Sequence, residues 1–138
     1  MGNAVVKEVM TKKLITISPN ESLTKASELM EKNHFRHLPV VDGDKLIGIL
    51  SKTDLLRLGF NDTLGDLEMQ IGSNLYDILT VGQVMVAHPM FIGENMSLAD
   101  ASKKMIEEQF HALPVVNDEN QLSGIITTSD ALNYYINN

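Results

Sequence analysis

Two short stretches place two hydroxyls and a carboxylate at the same spacing behind an apolar run: Gly48-Ile49-Leu50-Ser51-Lys52-Thr53-Asp54 and Gly124-Ile125-Ile126-Thr127-Thr128-Ser129-Asp130. A carboxylate only accepts hydrogen bonds and has room for both hydroxyls of a cis-diol, so an aspartate fixed on the first turn of a helix suits a ribose. The hydroxyls beside it, with the free N–H groups and positive dipole end of that helix, suit a phosphate. The apolar run offers a dry wall for a flat ring such as a purine. Gly48 and Gly124, inside that run, mark places where something approaches the backbone closely. The same residue types are also ordinary helix caps, which stabilise by ~1 kcal/mol and need no ligand. It is the duplication that favours a site over a cap.

Other chemistries find no support. The chain has no cysteine, which removes disulfides, thiolate metal sites and Cys nucleophiles. His34 and His37 have a metal-like spacing, but Arg36 lies between them and no carboxylate accompanies them, so no metal is expected. There is no Walker loop, no Ser-His-Asp constellation and no cluster of carboxylates for two metals, so catalytic residues are not expected and the chain is read as no enzyme. A net charge of −7 disfavours a nucleic-acid partner. No apolar run approaches the ~20 residues that span a bilayer, and the N-terminus lacks a secretory signal pattern. The expectation is therefore no membrane partner and, by default, a cytoplasmic protein.

The elements that must position these residues follow from periodicity and turn signals. Asn3 to Met10 suggests a short helix, and Leu14-Ile15-Thr16-Ile17 a brief strand before the turn at Ser18-Pro19-Asn20. Leu23, Ala26, Leu29 and Met30 recur at helical spacing from about Ser22 to Lys32. Leu38-Pro39-Val40-Val41, a turn at Asp42-Gly43-Asp44, and Leu46 to Leu50 form a hairpin, and a helix runs from Thr53 to Leu58 with Gly59 at its C′ position.

This whole pattern repeats. An offset of 75 superposes Met10 on Met85, Ile17 on Ile92, Ser22-Leu23 on Ser97-Leu98, Met30 on Met105 and Leu38-Pro39-Val40-Val41 on Leu113-Pro114-Val115-Val116. One residue enters the second hairpin turn, and the offset becomes 76 for Gly48 and Gly124 and for Asp54 and Asp130. A hairpin tip is where a true repeat tolerates an insertion. The reading is an α/β (α+β) fold of two pseudo-twofold-related repeats, each a small three-stranded sheet packed with helices. Residues 1–59 form the first repeat, 60–80 an acidic connector with partial helix, and 81–138 the second repeat. From Leu58 through Ser102 there is no Lys or Arg, which reads as a solvated acidic face, with a partner-docking surface as the alternative.

The paired Val9-Met10 and Val84-Met85, the two Leu-Pro-Val-Val strands and the two hydroxyl-and-Asp elements resemble the tandem cystathionine-β-synthase (CBS) domain pair, or Bateman module. The resemblance covers nearly the whole chain. It implies a regulatory fold that binds adenosine-containing ligands in two composite clefts. One cleft would take Thr127, Ser129 and Asp130 with Leu14, Ile15, Arg36 and His37. The other would take Ser51, Thr53 and Asp54 with Pro89, Met90 and His111. AMP, ADP or ATP is the expected regulatory ligand, ahead of S-adenosylmethionine and cyclic di-AMP, and no cofactor is required. A homodimer of such pairs and an unidentified protein target are the expected partners.

The two clefts are not expected to be equal. Arg36-His37 precedes the first Leu-Pro-Val, whereas His111-Ala112 precedes the second, and a permanently charged Arg can grip a phosphate bidentately. Pro89-Met90-Phe91 adds bulk to the other cleft. The Asp130 cleft is therefore read as the stronger one. A ligand-free dimerisation or interaction module with the same fold is the alternative.

Overall fold

The computed structural model describes residues 4–59 and 75–138. Its elements are α1 (Val6–Val9), α2 (Leu23–Asn33), β1 (His37–Asp42), β2 (Lys45–Ser51), α3 (Lys52–Gly59), α4 (Val81–Val84), β3 (Val86–Ala87), β4 (Ile92–Gly93), α5 (Leu98–Glu108), β5 (Ala112–Val116), β6 (Leu122–Thr127) and α6 (Thr128–Asn137). Residues 75–78 are also helical. The rest of the expected connector, 60–74, lies outside the described residues.

The chain forms two compact units: Met1–Leu14 with Met90–Asn138, and Ile15–Pro89. We call them unit 1 and unit 2. Each unit is built mainly from one repeat and takes its leading segment from the other, so that α1 belongs to unit 1 and α4 to unit 2.

In unit 2 the sheet order is β1-β2-β3, with β1 and β2 antiparallel and β3 antiparallel to β2. Ile17 adds a single parallel bridge to Val40 on the far side of β1. In unit 1 the order is β4-β5-β6, with β4 parallel to β5 and β5 antiparallel to β6. Here Thr11 adds a single antiparallel bridge to Ile125 on the far side of β6. Both sheets thus have the same four lanes. The expected strand at Leu14-Ile15-Thr16-Ile17 is reduced to the one bridging residue, whereas its counterpart at Ile92 is long enough to be a strand.

Local chemistry explains the helices. Ser22 caps α2 by accepting from the Lys25 N–H at 3.1 Å, and Ser97 caps α5 by accepting from the Asp100 N–H at 3.0 Å. Both helices end on a left-handed residue, His34 at φ 57° and Gln109 at φ 59°. The next N–H then reaches back over the last turn, from Phe35 to the Met30 carbonyl at 3.0 Å and from Phe110 to the Met105 carbonyl at 2.9 Å. That is the Schellman stop. It gives His34 a backbone role, and no metal-binding cluster occurs among the described residues.

The inward stripes are those the periodicity predicts. Leu23, Ala26 and Met30 bury one face of α2 against Leu38, Val40 and Leu50, and Leu98, Ala101 and Met105 bury one face of α5 against Leu113, Val115 and Ile126. Each fully buried Leu contributes about 1.5–3 kcal/mol by leaving water. Val6 and Val81, at matched positions of the two leading segments, are both fully buried. The leading segments are therefore integral to the cores they join.

Candidate functional site

In both repeats the hydroxyl-and-Asp element is the junction between the second hairpin strand and the helix after it. In unit 1, Thr127 Oγ1 accepts from the Asp130 N–H at 3.0 Å, and the Thr127 N–H donates to Asp130 Oδ2 at 3.1 Å. In unit 2, Ser51 Oγ accepts from the Asp54 N–H at 3.0 Å, and the Ser51 N–H donates to Asp54 Oδ2 at 3.3 Å. Each is a reciprocal capping box with Asp at the third helical position. The cap and the candidate site are thus the same residues. One carboxylate oxygen closes the box, which leaves the other to accept from elsewhere.

The surroundings of the two carboxylates differ. Thr11 Oγ1 donates to Asp130, at 3.1 Å from Oδ2 and 3.3 Å from Oδ1. The residue at the same repeat position in unit 2 is Val86, which has no hydroxyl. Asp54 instead has the Arg57 guanidinium at 3.8 Å, with the Arg57 side chain 74% exposed and the carboxylate 21% exposed. At that exposure solvent screens the pair heavily. Thr11 was not among the residues expected at a site. The signal for it was the Thr11–Val86 mismatch directly after the matched Val-Met pairs.

Unit 1 carries Leu14, Met90, His111, Thr127, Ser129 and Asp130, and unit 2 carries Ile15, Arg36, His37, Ser51, Thr53, Asp54 and Pro89. Within unit 2 the Lys52 N–H donates to the Arg36 carbonyl at 2.8 Å, and His37 pairs with Ser51 across the ladder. Within unit 1 the Thr128 N–H donates to the His111 carbonyl at 3.0 Å, and Ala112 pairs with Thr127. The residues before Leu-Pro-Val are thereby brought beside the hydroxyl-and-Asp element of their own unit. Asp130, Asp54 and His37 are half-buried, while Ser129, Thr53, Arg36 and His111 are exposed.

The two glycines in the strands are approached closely, as expected, but by methionine. A Cβ at Gly124 would meet the Met10 thioether, and one at Gly48 would meet the Met85 thioether and, at 3.1 Å, the Val86 carbonyl oxygen. Those methionines come from the exchanged leading segments. Met10, Met30 and Met105 are buried, and Met85 is half-buried against the unit 2 core.

The CBS domain family profile matches residues 6–61 and 81–137, a tandem pair that covers most of the chain. The chain belongs to the CBS domain family. This CBS pair is 34% identical over 126 residues to the CBS domain-containing protein YhcV of Bacillus subtilis, covering 91% of this chain and 81% of that one. It is 33% identical over 135 residues to protein MJ1225 of Methanocaldococcus jannaschii, covering 96% of this chain and 48% of that one. It therefore spans only about half the length of that relative, and 64% of the chloroplastic CBS domain-containing protein CBSX1 of Arabidopsis thaliana. Among solved structures, CBSX2 in complex with AMP superposes with a TM-score of 0.80 at 30% identity, covering 96% of each chain. The MJ0100 CBS pair in complex with 5-methylthioadenosine and S-adenosyl-L-methionine matches with a TM-score of 0.76 at 24% identity, a likeness of fold. Among the described residues of the CBS pair, no helix is long and apolar enough to cross a membrane.

Proposed function

We propose that this CBS pair is a regulatory module that binds an adenosine-containing nucleotide and passes its binding state to a protein partner. The observation that carries the reading is the duplicated, half-buried aspartate on the first turn of a helix, closed into its capping box through one oxygen. AMP bound to CBSX2, a relative similar over nearly its full length, supports the ligand class. In the stronger site Asp130 accepts from the ribose, Thr127 and Ser129 line the helix end, and Leu14, Ile15, Arg36 and His37 complete the ligand's surroundings. In the weaker site the corresponding set is Ser51, Thr53 and Asp54 with Pro89, Met90 and His111. AMP, ADP or ATP is the ligand, and a homodimer is the working assembly.

The experiment is a thermal-shift series with AMP, ADP, ATP, cyclic di-AMP and S-adenosylmethionine. A ligand at 100 times its dissociation constant adds ~2.7 kcal/mol of stability, which a melting curve resolves readily. Flat curves for all five ligands would sink the reading. A second reading, a ligand-free interaction module, is favoured by one observation: the Asp130 carboxylate already has Thr127 and Thr11 as donors within the protein. Light scattering that shows a stable dimer, unchanged by nucleotide in size and in melting, selects that reading instead.

A further inference from the structure

Thr11 is held in register by a reciprocal backbone pair. Its N–H donates to the Ile125 carbonyl at 2.9 Å, and the Ile125 N–H donates to the Thr11 carbonyl at 3.0 Å. The register of that pair fixes where the hydroxyl points, and the hydroxyl donates to Asp130. In the other repeat Val86 pairs with Ile49 at the equivalent ladder position, so unit 2 has the same backbone and lacks the donor. A carboxylate with a charge-assisted bond from Thr11 and another from the Thr127 N–H cannot swing about its Cβ–Cγ bond without losing both. Among the described residues Asp54 accepts a hydrogen bond from the Ser51 N–H alone, with the exposed Arg57 guanidinium 3.8 Å away.

We propose that Thr11 is a positioning residue that fixes the Asp130 carboxylate to accept from a cis-diol, and that Val86 leaves Asp54 without that support. The inference rests on the nucleotide reading above and goes further by naming what makes the two aspartates unequal: a residue in an exchanged leading segment. Asp130, fixed in advance, loses less freedom on binding, and such preorganisation appears directly as affinity.

The test uses the full chain in an Asp54→Ala background, so that the Asp130 element alone reports, with AMP and 2′-deoxy-AMP titrated calorimetrically. Thr11→Val, an isosteric change copied from the other repeat, should lower AMP affinity roughly fivefold. It should change 2′-deoxy-AMP affinity by less than about twofold, because that ligand lacks half of the diol. Thr11→Ser should restore the wild-type ratio. A second variant, Val86→Thr in an Asp130→Ala background, should raise the preference of the Asp54 element for AMP over 2′-deoxy-AMP. An unchanged AMP to 2′-deoxy-AMP ratio in both variants overturns the role of Thr11 and leaves nucleotide binding intact. If the parent binds no AMP, the nucleotide reading fails and takes the ribose role with it. Amide exchange at Thr127 in the ligand-free chain then still reads the positioning contact: exchange unchanged in Thr11→Val shows that Thr11 does not hold the carboxylate.

Discussion

The Met10 side chain lies against the Cα of Gly124, in space that any Cβ at that position would occupy. Met85 covers Gly48 in the same way, with the Val86 carbonyl oxygen also 3.1 Å from where that Cβ would be. Each contact joins an exchanged leading segment to the strand that runs into a capping box. Gly124→Ala must displace a buried thioether, and overpacking of this kind costs about 1–3 kcal/mol. Gly48→Ala meets backbone as well as side chain, so it should cost at least as much. Urea denaturation measures both, and either variant with an unchanged midpoint would show that the methionine yields freely. Met10→Ala should cost about 2–4 kcal/mol through the opposite effect, a cavity under the strand.

The two capping boxes allow cap and ligand roles to be separated by measurement. Asp130→Ala and Asp54→Ala each remove the acceptor for one helix-end N–H, so without ligand Asp54→Ala should lose about 1 kcal/mol and Asp130→Ala somewhat more, because it also leaves the Thr11 hydroxyl without its acceptor. With saturating AMP the variants should part company: Asp130→Ala loses most of the nucleotide-induced stabilisation and Asp54→Ala loses less. Thermal melts with and without AMP give all four values. The reverse order would refute the ranking of the two elements, and equal loss in both would mean that the elements contribute alike.

The helix stops give a prediction that is independent of any ligand. His34 and Gln109 occupy the left-handed region at φ 57° and 59°, where a side chain costs roughly 1 kcal/mol and glycine costs none. Both residues are exposed. His34→Gly and Gln109→Gly should therefore stabilise by about 0.5 kcal/mol each, once the greater freedom of glycine in the unfolded chain is subtracted. The two changes lie in different units and should add in a denaturant midpoint. A loss of stability would mean that these side chains hold contacts worth more than the backbone relief.

How far the sequence revealed this molecule depends on how many residues carry each feature. The hairpins, both long helices and the two hydroxyl-and-Asp elements were legible because each is written in several residues and then written again 75 or 76 positions later. The matching left-handed stops at His34 and Gln109 were not, since neither position holds the Gly or Asn that usually marks one. The outer lane at Ile17 was read as a strand and is a single bridge, whereas those at Thr11 and at Val86–Ala87 escaped for a different reason. Thr11 contributes one bridging residue and Val86–Ala87 two, too short for any period-two pattern. The exchange of leading segments between units escaped with them, because the contacts that define it, Met10 on Gly124 and Val6 in the unit 1 core, are non-local and leave only a glycine and a methionine in the sequence. The candidate site was legible in its residue types, and it was the backbone that showed those types closed into caps.

Arg36 offers the sharpest test of the residues assigned to the stronger site beyond the capping box. Its carbonyl is fixed by the Lys52 N–H at 2.8 Å, while its side chain is exposed. Arg36→Ala should therefore leave the ladder and the fold intact. If the guanidinium holds a phosphate, the variant should lose about tenfold or more in AMP affinity, as expected for a charge-assisted bidentate contact. Adenosine, which has the same ribose and purine and no phosphate, should bind wild type and variant equally. The AMP difference should also shrink as salt is raised, because an exposed charge pair is screened. Equal losses for AMP and adenosine would assign Arg36 a structural role, and no loss for either would remove it from the site while leaving Asp130 in place.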